Sequence, residues 1–307
     1  MPILCDTQDL VDDAVNDLSA ADYIILDCEG QQLGMVDGEL SLIQLGTPNA
    51  QRVYLIDAVV LDRSSLQPVL DLLADEGKRK VVWDGRQDYS ELYHGLGTPI
   101  CNVLDLQIVD VMSRTIRGEI EQRRIWRLGS RALSNRAVAA MQCEGVHAVN
   151  GLGKALQEHG VTGVSGKDTT VSSMHSAGQS ITWMYRPLPS TLISYASHDL
   201  QMIASLYNHF NNRGYLSDLP TLLEQSKRFV SIHRDRGRPT RNNIYRSSNL
   251  LPLGILHPIE GPTKLCDKCN RPLSSEHFPT VGKGLQSGRR ATCKVCQILT
   301  VRKANGY

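Results

Sequence analysis

Ile25-Leu-Asp-Cys-Glu-Gly30, preceded by Tyr23 and Ile24, is a short apolar run that ends in two acids. In a strand, residues i and i+2 project from the same face. Asp27 and Glu29 therefore stand side by side, and Cys28 points to the opposite face as a small core residue. Neighbouring carboxylates repel and are costly to desolvate unless a cation compensates them. Alone, this pattern reads better as a strand end meeting water.

Outward from this run, strands and helices alternate. Leu40–Leu45 and Val53–Asp57 follow at hairpin distance, so three sequential strands are expected. Ser64–Glu76 has helical apolar spacing with Gly77 as its stop, and Lys80–Asp84 is a fourth strand. A helix is expected from about Asp88, a fifth strand at Val103–Asp105, and helices over Leu106–Ile116 and Asn150–His159. Asp88 alone is an acid favoured by a helix N-terminus. Gly160–Gln179 is rich in Gly, Ser and Thr and reads as a loop. A long helix follows over Leu188–Asn212, ending at Gly214. On it Tyr195 and Asp199 are i and i+4 and share a face, while Leu192, Ile193, Ala196, Leu200, Ile203 and Leu206 pack it on the sheet.

The blocks together resemble the DEDD superfamily of 3′–5′ exonucleases in its tyrosine branch, whose members include ribonuclease D, the Werner-type exonuclease domain and eukaryotic exonuclease-domain proteins. The first block is Ile25–Gly30 with Leu42–Leu45 and Tyr54–Asp57; the second is Lys80–Tyr93 with Asn102–Asp105; the third is Trp183–Pro189 with Tyr195–Asp199. The resemblance covers about residues 5–215. It implies a ribonuclease H-like mixed sheet flanked by helices, with Asp27, Glu29, Asp88 and Asp199 at a metal site. The histidine branch places a His five residues before its last Asp, where this chain has Ser194; Tyr195 takes the tyrosine-branch position. Asp84 stands where many relatives have Asn or another polar residue, adding a fifth acid. Asp105 resembles a family Asp, and helix capping is the preferred reading of it.

Carboxylate oxygens are hard ligands that suit Mg²⁺ or Mn²⁺. Two such ions would activate a water and stabilise the leaving 3′ oxygen, releasing nucleoside 5′-monophosphates from the 3′ end of RNA or DNA. Asp27 would bridge the ions, Glu29 and Asp199 would complete the first, and Asp88 would act through water. Tyr195 would orient the attacking water, because a phenol of pKa about 10 is a weak base. Relatives that have lost their acids only bind RNA, so a non-catalytic nucleic-acid adaptor is the alternative.

The last 42 residues hold four of the eight cysteines, as Cys266-x2-Cys269 and Cys293-x2-Cys296. Two such knuckles make a closed thiolate site for one structural Zn²⁺. The stretch Leu265–Phe278 resembles small zinc modules beside HNH nucleases, but His277 is the only histidine between the knuckles. The expected organisation is an exonuclease domain over 1–225, a basic linker over 226–263 and a zinc module over 264–307. Charge follows this division: residues 226–307 carry 16 Lys and Arg against 4 Asp and Glu, or +12, and residues 1–225 carry 17 against 28, or −11. A basic tail on an acidic body suggests a polyanion partner, with protein docking through the zinc module as the alternative. Arg114, Arg117, Arg123, Arg124, Arg127, Arg131 and Arg136 mark an Arg-rich helical excursion that either lines a nucleic-acid cleft or is solvated surface. No apolar run reaches the roughly 20 residues of a membrane span. The acidic first residues do not read as a secretory signal, which with reduced thiols points to nucleus or cytoplasm.

Overall fold

The computed structural model describes residues 1–129, 134–162, 180–243, 245, 248–282 and 288–304. The chain divides into two compact units: Met1–Asp110 with Gly151–Thr240, and Val111–Asn150 with Arg241–Tyr307. A helix at Leu219–Val230 runs across residue 225, and residues 226–240 group with the first unit. Of the loop expected at 160–179, residues 163–179 lie outside the described residues.

The first unit is built on six strands: β1 (Ile3–Cys5), β2 (Tyr23–Gln31), β3 (Glu39–Gly46), β4 (Val53–Asp57), β5 (Arg79–Val82) and β6 (Val103–Asp105). Their order is β1-β4-β3-β2-β5-β6, and β3 alone runs against the other five. This is the mixed, ribonuclease H-like sheet that the sequence led us to expect.

Period-two alternation divides β2 between two faces. Ile24, Leu26 and Cys28 lie in an apolar core with residues of α1 (Gln8–Ala20) and α2 (Arg63–Ala74). Ile25, Asp27 and Glu29 take the other face. There the long α8 (Ser190–Asn212) packs on β2, β3 and β4 through Leu192, Ala196, Leu200, Ile203 and Leu206, each at most 1% exposed. Each buried leucine or isoleucine contributes about 1.5–3 kcal/mol relative to exposure, so the apolar stripe fixes which side of α8 faces the acids.

Between Glu29 and Gly30 the β2–β3 register shifts by a bulge. A Cβ on Gly30 would lie 2.1 Å from the Glu39 carbonyl oxygen, so only glycine lets the strands approach there.

Two elements near the N-terminus escape a sequence reading. β1 has only three residues, and the acids of α1 obscure its buried stripe Val11, Ala14 and Leu18. Gly77 is not the stop of α2, which ends at Ala74 with Asp75 extended. The remaining helices of this unit are α3 (Arg86–Leu96), α7 (Leu152–His159) and α9 (Leu219–Val230).

The second unit takes in the end of α4 (Leu106–Ile116), α5 (Glu121–Leu128) and α6 (Asn135–Ala139). It also holds a hairpin of β7 (Thr263–Leu265) and β8 (Pro272–Ser274), a short pair β9 (Thr280–Val281) and β10 (Gly288–Arg289), and α10 (Lys294–Ala304). The Arg-rich excursion and the cysteine region are thus one body. Arg302 donates to Leu128 O at 2.6 Å and to Asn249 Oδ1 at 2.8 Å, and Val149 N–H donates to Asn249 O at 2.8 Å. Leu250, Leu251, Leu253 and Ile255 are buried, so this part of the expected linker is core.

The excursion is also corrected in character. Arg114, Arg124 and Arg127 are buried. Arg114 donates to Ala148 O at 2.6 Å, Arg124 to Val146 O at 2.6 Å, and Arg127 pairs with Glu119 at 2.6 Å. These arginines satisfy carbonyls and acids inside the fold. Arg131 lies outside the described residues.

Candidate active site

The structure brings Asp27 and Glu29 of β2 together with Asp199 of α8, their oxygens within 4.8 Å of one another. Three residues 172 positions apart meet because β2 presents its acids on the face that α8 covers. Tyr195 lies one turn before Asp199 on the same helix, 6% exposed, its ring 6.3 Å from that of Trp183.

Asp88 stands apart from this trio. It rises in the first turn of α3, is buried, and packs against Cys28. Burial pushes its carboxyl up to about 7, with the charge of Asp84 adding to the effect. Its Oδ1 has no hydrogen-bond partner among the described residues. Burial, then the nearby Asp88 and Asp27 charges, pushes the Cys28 thiol up.

Several residues that the sequence reading left without a role position these acids. Asp105, at the end of β6, accepts from Gly85 N–H at 2.9 Å, Asp84 N–H at 3.1 Å and Gln107 N–H at 2.9 Å. The last contact is the expected cap. The first two pin the turn that launches α3, where Asp84 has φ +57°. Asp84, the fifth acid, pairs with Arg86: its two oxygens take Arg86 Nε at 2.5 Å and Nη2 at 2.7 Å.

On the same helix, Glu91 accepts from Gly34 N–H at 2.8 Å and Arg238 Nη2 at 2.8 Å. Arg238 also donates to Gly38 O at 2.7 Å. Together they hold the turn that follows Glu29, in which Gly34 has φ +70° and a Cβ would meet Gln87 O at 2.5 Å. Gly34 O in turn accepts from Ser90 Oγ at 2.7 Å.

The start of α8 is fixed in the same way. Arg186 forks onto Asp57, with both contacts at 2.6 Å, and donates to Ser41 Oγ at 3.1 Å. Ser41 Oγ donates to Trp183 O at 2.6 Å. The third sequence block is thereby tied to β3 and β4, which sets the height of Tyr195 and Asp199 over the sheet. Such bidentate charged contacts are about twice as strong as neutral ones.

In the second unit Cys266, Cys269, Cys293 and Cys296 place their sulfurs within 4.8 Å of one another. A tetrahedral Zn²⁺ with Zn–S of about 2.3 Å separates its sulfurs by about 3.8 Å, so the cluster has the right size. Cys266 N–H donates to Arg271 O at 3.1 Å, closing the first knuckle, and Cys293 N–H donates to Cys266 Sγ at 3.3 Å. Hydrogen bonds from the Cys293 and Cys296 thiols hold the Cys269 thiol far below its usual range. The four sulfurs therefore converge on one point. Among the described residues, these cysteines and the carboxylate trio are the only groupings that fit a cation.

A mixed sheet with one reversed strand, and three acids gathered between its central strand and a covering helix, define a nuclease-type carboxylate centre. Residues 2–128 match the family model described as 3′–5′ exonuclease. These residues therefore carry a 3′–5′ exonuclease domain. Comparison with curated protein sequences finds no match. Among solved structures, the crystal structure of Trypanosoma brucei RNase D is 22% identical with a TM-score of 0.62, covering 88% of this chain and 93% of that one. The same protein in complex with RNA U12 is 23% identical with a TM-score of 0.60, covering 88% and 82%. The catalytic core of RRP6 from Trypanosoma brucei is 18% identical with a TM-score of 0.51, covering 79% and 55%. At these identities the likeness is one of fold.

Proposed function

We propose that this exonuclease depends on divalent cations and removes nucleoside 5′-monophosphates from the 3′ end of single-stranded RNA. The observation that carries the reading is the meeting of Asp27, Glu29 and Asp199 within 4.8 Å. RNA is favoured over DNA because the similar structures are of RNase D, one of them holding RNA U12.

The donors fit Mg²⁺ or Mn²⁺, since all are carboxylate oxygens and Asp88 keeps a buried oxygen without a hydrogen-bond partner among the described residues. Asp27, Glu29 and Asp199 would hold such cations, and Asp88 would complete the site. Bound there, such cations activate the attacking water and stabilise the leaving 3′ oxygen. Tyr195 orients that water by hydrogen bond through its hydroxyl. Its ring is fixed against Trp183, so the hydroxyl direction is set before substrate arrives. Arg186, Asp57 and Ser41 hold the helix that carries it, and Glu91 with Arg238 holds the turn beyond Glu29.

The four cysteines suit one Zn²⁺ with no open position, a structural role. The exposed lysines and arginines within residues 226–307 would supply phosphate contacts for the strand. Docking of a protein on the same module is the alternative.

The test is degradation of matched 3′-labelled and 5′-labelled RNA and DNA with Mg²⁺, Mn²⁺ or chelator. A cation-dependent ladder shortening from the 3′ end of the 5′-labelled RNA is expected. Binding without degradation under all three conditions would establish the adaptor instead.

A further inference from the structure

The second unit carries an exposed ridge that its own fold does not use. Trp126 on α5 is 59% exposed and Ile120, just before the helix, is 68% exposed. Arg123, also exposed, lies between them at i+3 from Ile120 and i−3 from Trp126. Residues three apart neighbour each other on a helix surface, so the ridge reads apolar, cation, aromatic. From Arg123 to Trp126 the helix rises about 4.5 Å, the scale of a single nucleotide.

Trp126 is exceptional in this chain. The other two tryptophans are packed, Trp183 at 1% and Trp83 at 9% exposure. A large aromatic left in water next to an arginine is not explained by folding, since its burial would have been favourable.

Glu119 pairs with buried Arg127 at 2.6 Å, and Glu121 takes Arg124 Nε at 2.7 Å. Glu121 stays exposed while paired with Arg124, and Arg123 is the exposed cation between Ile120 and Trp126.

We propose that Trp126, with Arg123 beside it, is a stacking platform for single-stranded nucleic acid: the indole stacks on a base and the guanidinium contacts an adjacent phosphate. A base has an apolar face and a strand a regular negative charge, which together complement this alternation. The proposal rests on the reading of the chain as a nucleic-acid enzyme and adds to it a binding surface outside the acid centre.

The test uses the full chain carrying Asp27→Asn, so that the strand survives, titrated with a single-stranded RNA oligonucleotide. Trp126 is the exposed emitter, and stacking should quench its red-shifted fluorescence. Trp126→Phe should abolish the quench while retaining most affinity. Trp126→Ala should weaken binding about five- to a hundredfold. Arg123→Ala should lower the slope of log affinity against log salt by about one. Unchanged affinity in Trp126→Ala would overturn the proposal. A shift in sedimentation or native mass in Trp126→Ala, with RNA binding intact, would instead make the ridge a contact between copies or with another protein, which also overturns it. The nuclease reading fails separately: wild-type protein that degrades no strand, yet shows the quench, sinks the activity and keeps the platform.

Discussion

Arg238 and Glu91 meet at 2.8 Å across 147 residues of sequence, and the pair closes the turn that follows the first two site acids. Glu91 is 3% exposed, and burial holds its carboxyl above the usual range despite the cation beside it. Removing one partner of such a pair strands a buried charge. Arg238→Ala should therefore destabilise the protein by about 3 kcal/mol in urea denaturation. Adding Glu91→Gln should recover part of that loss in a double-mutant cycle. Additive effects would show that the two side chains do not act together.

Asp27→Asn and Asp199→Asn should each lower turnover by about a thousandfold or more, because the amide removes a charge that would hold a cation worth several kcal/mol of transition-state stabilisation. The metal-free variants should melt no lower than wild type, since like charges are relieved within the trio. Near wild-type turnover in either pure variant would refute the metal assignment.

Tyr195→Phe deletes one hydroxyl from a buried, ring-packed side chain. Folding should persist and turnover should fall about a hundredfold. His198→Ala, adjacent to Asp199 but on another side of α8, should change turnover much less. The reverse ranking in single-turnover assays would place the chain in a different catalytic branch.

Cys266→Ser should release one equivalent of zinc, lower the melting temperature of the second unit and weaken binding of long strands. Turnover at saturating substrate should hold. The readouts are metal analysis by mass spectrometry and binding across a salt series. Truncation after Ser231 is a poorer test than the sequence suggests, because it also removes Arg238 from the first unit.

Asp105 gives a pH dependence. Burial, with the Asp84 charge, lifts its carboxyl to about 7, above the value near 3.9 of an unfolded chain. The folded state then binds more protons than the unfolded state between about pH 4 and 7, so this group's contribution is full at low pH and is lost as pH rises through 7. Asp105→Asn should flatten the decline in melting temperature over that window. An unchanged pH profile would show that the group is already ionised there.

The meeting of the acids was legible in the sequence because its signals are local. Asp27 and Glu29 share a face by strand periodicity, Tyr195 and Asp199 by helix periodicity, and the apolar residues between them say which side is buried. The cysteine knuckles are equally local, each being a pair two residues apart in a tight turn. Arg186 and Asp57 were in view within the sequence blocks, but their pairing was not, since nothing in either segment names a partner 129 residues away.

What the tertiary structure decided is the use made of charge and the division into units. A run of arginines has the same sequence whether it faces water or a carbonyl. Only the fold shows that Arg114, Arg124 and Arg127 are buried on acceptors while Arg123 is exposed. Composition likewise marked 226–263 as a linker because it is rich in Arg, Asn, Pro and Gly. Yet Arg238 belongs to the first unit, and Leu250 to Ile255 to the core of the other. The physical reason is that strand and helix periodicities are set by bonds between near neighbours in the chain. Burial of a charge is set by whether distant segments arrive to satisfy it, and that depends on the whole fold.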